Sequence, residues 1–500
     1  MTKIESFARN FLFLVIGLVA LPAYGAVRLP ALFADHMVIQ RDQPVHVWGM
    51  ASAGETVTVS FRGAQATATA DSLGRWMVEL PPGSAGGPFV LSIHGSNAIT
   101  LMDVLVGDVW IASGQSNMGF AVKEGRNAQQ ELAAASLPQL RLMKVKQTYA
   151  DYPQDDAPLL MPWNVSGPDT AKNFSAVAFF FARDLVQREH IPVGVIESDW
   201  GGTPGEAWTS MRALSEDASL MPVFSAWAAM QDAEPEAALA RDKERRELVQ
   251  QAGTDENLRL PWHPILKAWA PAALYNGMIA PLTRFPICGV IWYQGESNTD
   301  AMRYPVYGRL FQTLIRDWRT AWSEGNFPFL YVQIANYRTG PDDRWPEIRE
   351  AQRQALQLVN TAMAVTIDIG DPDNIHPSDK QDVGRRLALA ARDMVYGESV
   401  EWSGPVYRSM RNEGGELQLF FDHAQPGLVV KGTQLQGFEI AGKNGHFVPA
   451  TARIDSTTVI LSSPEVSAPE QARYGWANNP MCNLFNHAGL PASPFRTAQR

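Results

Sequence analysis

Residues 108–117 read DVWIASGQSN, a short apolar, β-branched run that ends in a glycine and a polar turn containing Ser116. Four later segments have the same character: PVGVIES at 192–198, CGVIWYQ at 288–294, FLYVQIA at 329–335 and AMAVTID at 362–368. Runs of this kind are typical of strands buried on both faces of a parallel sheet. Because helical patterns lie between them, we predict an α/β domain with three-layer α/β/α architecture over residues 101–400.

Both flanks of this domain show the period-two alternation of half-buried strands. Residues 26–100 contain ETVTVSF and RWMVEL, and residues 401–500 contain GELQLFF and GFEIAG. Each flank is therefore predicted to be a β-rich module, the first of them sandwich-like. Within the central domain, a charged, alanine- and glutamate-rich stretch at about 211–264 is predicted to be a helical insertion.

Residues 1–25 have the features of an export signal. Lys3 and Arg9 precede an apolar run, and Ala23 and Gly25 provide the small residues of a cleavage site. The apolar run is too short to span a bilayer comfortably. We therefore predict a periplasmic or secreted protein with no stable membrane insertion once this signal peptide is removed.

Composition narrows the range of partners. The 500 residues are 46% hydrophobic and 19% charged, and the net charge of −10 comes without any basic block, so nucleic acid is not an expected partner. The only cysteines, Cys288 and Cys482, are too few for a disulfide scaffold or a cysteine-rich zinc site. The nine histidines are scattered and form no HExxH motif. We expect no metal and no cofactor.

Polar motifs follow the predicted strands at their carboxyl ends, where open α/β sheets bind ligands. The motifs are SGQSN, SDWGGT, QGESN and GDPDNIHP. Ser116 in the first motif is a candidate nucleophile, and it needs a base because a free serine hydroxyl reacts poorly. His376 is the candidate base, and Asp373, three residues earlier, is the candidate acid that orients the imidazole. Asp371 and Asp368 are the alternative acids in the same segment.

An acyl-transfer reaction also needs hydrogen-bond donors aimed at the developing oxyanion. Candidate donors are the backbone N–H groups of Ser116, Gly201 and Gly202 and the side-chain amides of Gln294 and Asn298. Trp200 and Glu296 lie in the same loops and are candidate substrate-binding residues, although Glu296 is equally suited to bracing its loop. Bulky side chains near these motifs predict a tight acyl pocket: Trp200, Trp208, Trp292 and Tyr293.

Met118 stands where the nucleophile-elbow motif G-x-S-x-G has its second glycine, which argues against an α/β-hydrolase fold. From about residue 100 onward the chain instead resembles the sialate O-acetylesterase family, within the SGNH (GDSL-like) hydrolases. The segments that carry the resemblance include GDVWIASGQSNM, GVIESDWGGTPGEAW, GVIWYQGESN, WPEIREAQ, DIGDPDNIHPSDKQDVGRRLALAA and the tail ARYGWANNPMCNLFNHAGLPASPFRT. The resemblance implies an SGNH-hydrolase, flavodoxin-like three-layer sandwich.

The same resemblance implies an exported carbohydrate O-acetylesterase that acts on acetylated sialic acid or acetylated plant-wall oligosaccharides. It implies Ser116, His376 and Asp373 as the catalytic triad and a glycine of WGGT as the second oxyanion donor. It favours Gln294 over Asn298 as the third donor. Two alternatives differ in class: a carbohydrate-binding protein without chemistry, and a serine esterase or lipase of broader specificity.

Overall fold

The computed structural model of the protein describes residues 26–252 and 261–497, so the predicted signal peptide at 1–25 lies outside the described residues. The N-terminal flank is all-β, as its alternation predicts. Its strands are β1 (Val38–Gln40), β2 (Val45–Met50), β3 (Thr56–Phe61), β4 (Ala64–Thr69), β5 (Arg75–Leu80), β6 (Gly86–His94) and the first part of β7 (Ala98–Gly114). Strands β1 and β6 pair directly with β7. Because β7 runs on without a break into the next domain, the boundary expected at residue 100 falls inside a strand.

The central sheet is predominantly parallel. Its further strands are β8 (Leu137–Val145), β9 (Leu159–Ser166), β10 (Val193–Asp199), β11 (Gly289–Tyr293), β12 (Phe329–Val332) and β13 (Thr361–Ala364). Their order is β13–β12–β11–β7–β10–β8–β9, and only the edge strand β9 runs antiparallel to its neighbour. The five strands expected from the sequence are thus confirmed. Strands β8 and β9 were not expected, because charged residues and prolines interrupt their apolar character.

Helices cover both faces of this sheet. They are α1 (Ala128–Ala133), α2 (Pro168–Lys172), α3 (Ala176–Glu189), α4 (Met211–Ser215), α5 (Met221–Ala252), α6 (Tyr304–Trp322), α7 (Trp345–Gln354) and α8 (Lys380–Met394). Val109 and Ile111 of β7 pack in one hydrophobic core with α6 and α7. Trp110 and Ala112, which point the other way, pack in a second core with α3 and α8. This confirms the predicted three-layer sandwich. Helices α4 and α5 make up most of the described part of the stretch predicted to be a helical insertion.

The C-terminal flank is β-rich, with its own hydrophobic core around Leu417, Leu461 and Phe495. Its strands are β14 (Val406–Glu413), β15 (Glu416–Asp422), β16 (Leu428–Val430), β17 (Phe438–Ala441), β18 (Val448–Pro449), β19 (Thr451–Asp455), β20 (Thr458–Ser462), β21 (Gln471–Tyr474), β22 (Leu484–Asn486) and β23 (Phe495–Arg496). The buried guanidinium of Arg349 on α7 donates to the carbonyls of Ala477 and Asn478 at 2.8 and 2.7 Å. These bonds attach the C-terminal segment to the sheet domain.

Candidate active site

The turn that presents Ser116 is tied to both strands beside β7. Gly114 has φ of +138°, and a Cβ there would lie 2.2 Å from the carbonyl oxygen of Tyr293, so only glycine fits. The N–H of Gln115 donates to that same carbonyl at 3.0 Å, and the N–H of Trp200 donates to the Gly114 carbonyl at 3.1 Å. Ser116 therefore sits at the carboxyl edge of the sheet, half-buried between two buried neighbours.

Ser116 and His376 are brought into direct contact. The Oγ of Ser116 lies 2.8 Å from Nε2 of His376, although 260 residues separate them in sequence. Burial of the imidazole lowers the pKa of His376, and the nearby positive charge of Lys380 lowers it further. A histidine with a lowered pKa is neutral at pH 7, which is the form that accepts a proton from serine.

Asp373 is not joined to this pair. One oxygen of its carboxylate accepts a hydrogen bond from Arg338 at 2.7 Å, and its side chain is 74% exposed. Within residues 26–252 and 261–497, no hydrogen bond connects Asp373 to the ring of His376. The alternative acid Asp368 binds both terminal nitrogens of Arg386, at 2.6 and 2.8 Å. The structure therefore brings together Ser116 and His376, two of the three predicted triad residues, and gives Asp373 a different partner.

We expect Asp373→Asn to lower kcat for an aryl acetate by no more than about tenfold, because an exposed ion pair contributes little. The matched change Asp371→Asn, made on a carboxylate that accepts the Asp373 N–H at 2.9 Å, should have a similarly small effect. Both kcat values are to be measured at the pH optimum. A loss in Asp373→Asn that approaches the loss in His376→Ala would mean that this carboxylate turns toward His376 during the reaction.

Two glycines follow β10 directly beside Ser116. A Cβ built on Gly201 would lie 3.2 Å from the Cβ of Ser116, so this peptide is in close reach of the nucleophile. Gly202 has φ of +69°, the left-handed conformation that glycine adopts without strain. Among the hydrogen bonds of the described residues, none uses the N–H of Ser116, Gly201 or Gly202 as donor. Three backbone donors are thus available at this edge.

The amides of Gln294 and Asn298 are engaged in hydrogen bonds within the protein. The Nε2 of Gln294 donates to the carbonyl of Thr203 at 3.2 Å and to Oδ1 of Asn298 at 2.6 Å, which uses both of its hydrogens. Asn298 accepts from the N–H of Gly205 at 2.9 Å and donates to Glu206 at 2.9 Å. Both side chains are fully buried. In this structure their contacts brace the segment that follows the two glycines.

Asn298→Ala should therefore lower the free energy of unfolding by about 1–3 kcal/mol, because it leaves buried donors and an acceptor without partners. Gln294→Ala should have a similar cost, since it breaks the same group of bonds. Chemical denaturation of the variants measures this directly. Wild-type stability combined with a hundredfold loss of kcat in either variant would restore that residue as a direct oxyanion donor.

The aromatic residues expected around the acyl group divide into two sets. Trp208, Trp292 and Tyr293 are fully buried in the hydrophobic cores, so these three do not line an open pocket. Trp200 is half-buried and stacks on Tyr149, with ring centroids 6.3 Å apart.

Trp262 is an aromatic residue that the sequence analysis missed. Its side chain is 65% exposed, and its ring lies against Gly202, where an added Cβ would be 2.2 Å from the ring. No sequence signal singled it out, since it does not lie at the end of a predicted strand.

Glu296 is buried, and its contact in this structure is of the bracing kind. Its Oε1 accepts a hydrogen bond from Asn117 at 2.6 Å, and burial raises the pKa of its carboxyl.

Among the described residues, no group of three or more histidine, cysteine, aspartate or glutamate side chains is arranged to hold a metal ion. None of the helices formed by residues 26–252 and 261–497 is long and apolar enough to cross a membrane.

A three-layer sandwich with a serine–histidine contact at the carboxyl edge of its sheet is the arrangement of an SGNH-type ester hydrolase. A family model described as carbohydrate esterase, sialic acid-specific acetylesterase, matches residues 235–393. The sialate O-acetylesterase of Rattus norvegicus is 32% identical, over 97% of this chain and 96% of that protein. The Homo sapiens enzyme of the same name is 31% identical, over 94% of this chain and 92% of its own length.

Among solved structures, a carbohydrate acetylesterase from Xanthomonas citri is similar over 95% of this chain and 100% of its own. Its sequence is 40% identical and the TM-score is 0.82. The chain belongs to the sialate O-acetylesterase family and is an ester hydrolase.

Proposed function

We propose that this protein removes acetyl groups from sugar hydroxyls by a serine mechanism that uses Ser116 and His376. The observation that carries the proposal is the 2.8 Å contact between Ser116 Oγ and His376 Nε2, beside backbone N–H groups that have no other acceptor among the described residues. The names of the relatives support the acetyl group and the carbohydrate. Acetylated sialic acid and acetylated plant-wall oligosaccharides are the proposed substrates, and the N-terminal signal is proposed to deliver the enzyme to the periplasm or outside the cell.

In the first half of the reaction, Ser116 Oγ attacks the acetyl carbonyl carbon while His376 Nε2 takes the hydroxyl proton. The oxyanion of the tetrahedral intermediate accepts hydrogen bonds from the N–H groups of Ser116 and Gly201. The bond to the sugar oxygen then breaks, and that oxygen receives the proton from His376. In the second half, His376 activates a water molecule, which releases acetate and restores Ser116.

The rings of Trp200 and Trp262 are proposed to border the substrate. They lie on or against the Gly201–Gly202 turn, and aromatic faces pack well against the C–H faces of sugars and against a methyl group. With Trp208, Trp292 and Tyr293 in the cores, these two rings and Tyr149, which stacks on Trp200, are bulky groups near the turn. They are proposed to accept an acetyl group and to oppose longer acyl chains.

We expect fast turnover only for esters with a short acyl group. In a series of acetyl, propionyl and butyryl esters of one alcohol, kcat/KM should fall by at least about tenfold from acetyl to butyryl, because a tight pocket excludes added methylenes. A flat or rising series would identify a broader esterase or lipase instead.

Free acetate released from acetylated sialic acid and from acetylated xylan oligosaccharides tests the substrate class. Ser116→Ala, purified in parallel, provides the background rate. Faster release from one of these sugars than from an aryl acetate supports the proposal. Tight sugar binding without any acetate release would show a carbohydrate-binding protein and overturn it.

A further inference from the structure

One buried amide joins the nucleophile's segment to the histidine's segment. Asn117 directly follows Ser116, and its Nδ2 donates to the carbonyl oxygen of Ile375 at 3.0 Å. Ile375 directly precedes His376. The Asn117 side chain is almost completely buried, so water does not compete for this bond. The separation of the two reacting side chains therefore depends on a bond made by their immediate neighbours in the chain.

Two buried charges hold this amide in a single orientation. Lys380 Nζ donates to Asn117 Oδ1 at 2.5 Å, and Asn117 Nδ2 also donates to Glu296 Oε1 at 2.6 Å. A rotated amide would present hydrogens to an ammonium and oxygen to a carboxylate, which is unfavourable at both ends. Because burying two charges costs more than burying apolar side chains of similar size, stability alone does not account for them.

Lys380 is also joined to the histidine's segment, because the Asn117 amide that accepts its hydrogen bond donates to the Ile375 carbonyl. It begins α8, four residues after His376, and its Nζ lies 4.9 Å from the ring centre of Phe120 and 5.3 Å from that of Tyr293. Burial lowers the pKa of Lys380 to about 7, and the carboxylates of Glu296 and Asp379 oppose that shift.

The charges that act on His376 itself come from two directions. Lys380 disfavours protonation of the imidazole, and Glu124, from the segment after Ser116, favours it. The lysine has the larger effect, and burial of the ring acts in the same direction as the lysine. Removing the lysine charge therefore makes the imidazole easier to protonate.

We propose that Asn117 and Lys380 are positioning residues of the ester hydrolysis: Asn117 sets the distance between Ser116 and His376, while Lys380 orients the amide and keeps the imidazole unprotonated. This inference rests on the proposed serine mechanism. It assigns no contact with substrate to either residue, so their loss should reduce kcat much more than it changes KM.

Two substitutions at residue 380 separate the hydrogen bond from the charge. Lys380→Met removes both, whereas Lys380→Gln keeps a donor for Asn117 and removes the charge alone. In both variants, the acidic limb of the kcat/KM profile for an aryl acetate should move upward by about one pH unit. Only Lys380→Met should lose kcat strongly, by about tenfold to a hundredfold, because misplacement of reacting groups is costly.

Lys123→Met is the matched control, since it removes the same charge from an exposed position in the loop after Ser116. Its pH profile and its kcat should stay at the wild-type values. If either Lys380 variant fails to fold, Asn117→Ala tests the same link: kcat should fall at least about tenfold while KM changes by less than about threefold. Thermal unfolding establishes that each variant is folded.

If the Lys380→Met enzyme is folded and its acidic limb lies at the same pH as that of the Lys123→Met control, the role of the lysine charge is overturned. A folded Asn117→Ala enzyme with wild-type kcat overturns the positioning role. Failure of the underlying mechanism gives a different pattern, because Ser116→Ala would then keep its activity. If Ser116→Ala is inactive and the Asn117 and Lys380 variants are unaffected, the positioning role is overturned and the serine mechanism is retained.

Discussion

Replacement of Ser116 by alanine should lower kcat for an aryl acetate by about three orders of magnitude or more. The hydroxyl oxygen is the only atom removed, and it is the atom that lies 2.8 Å from the histidine nitrogen. Because Ser116 is half-buried in a rim turn held by backbone bonds, the variant should keep its fold. Steady-state kinetics and circular dichroism of the purified variant measure the two effects separately.

Ser378→Ala is the matched control for this change, since it removes an exposed hydroxyl from the loop that carries His376. It should retain turnover close to that of the wild type. Near-normal activity in a folded Ser116→Ala enzyme would remove the serine mechanism altogether.

His376→Ala should cause a loss of the same size, and combining it with Ser116→Ala should add little, because the two side chains act as a unit. In the unmodified enzyme, kcat/KM should depend on the neutral imidazole. Its pKa lies below the ordinary value of 6.5 as a result of burial and of Lys380. Activity should therefore be fully present at neutral pH and fall about tenfold per pH unit below that lowered pKa.

The control for this histidine is His446→Ala, which removes an exposed imidazole from the C-terminal module. Its pH profile should match the wild type. An acidic limb centred well above pH 6.5 in the wild-type enzyme would show that another group, or a histidine with a raised pKa, controls the reaction.

The parallel strands were accessible from sequence because each is encoded locally, and Ser116 and His376 were accessible because each lies in a polar motif that follows such a strand. Buried parallel strands need unbroken apolar runs, and ligand-binding groups follow them at one edge of the sheet. Strands β8 and β9 escaped this rule because each has an interrupted apolar pattern. Lys144 of β8, for example, is a charged residue in the strand. Its partner in the structure is the buried Glu197, to which it donates a hydrogen bond at 2.5 Å.

The sequence was a poorer guide to the groups that support the site. Whether an amide such as Gln294 faces an oxyanion or a neighbouring backbone depends on rotamers and on partners far away in the chain. Lysine at the start of a helix is usually solvated, so Lys380 gave no signal of burial. Asn117 lies in the serine motif GQSN, but its link to Ile375 joins segments 258 residues apart and has no sequence signature.

The unbroken course of β7 has a consequence for how this enzyme can be divided. The strand pairs with the N-terminal strands along its first half and ends two residues before the nucleophile, and the same hydrophobic core extends through both parts. Cutting the chain near residue 100 would expose the apolar side chains of Val104 and Val106 together with unpaired backbone N–H and C=O groups. Such an edge recruits other strands. We therefore expect that the N-terminal module cannot be exchanged between relatives without disturbing the strand that leads to Ser116.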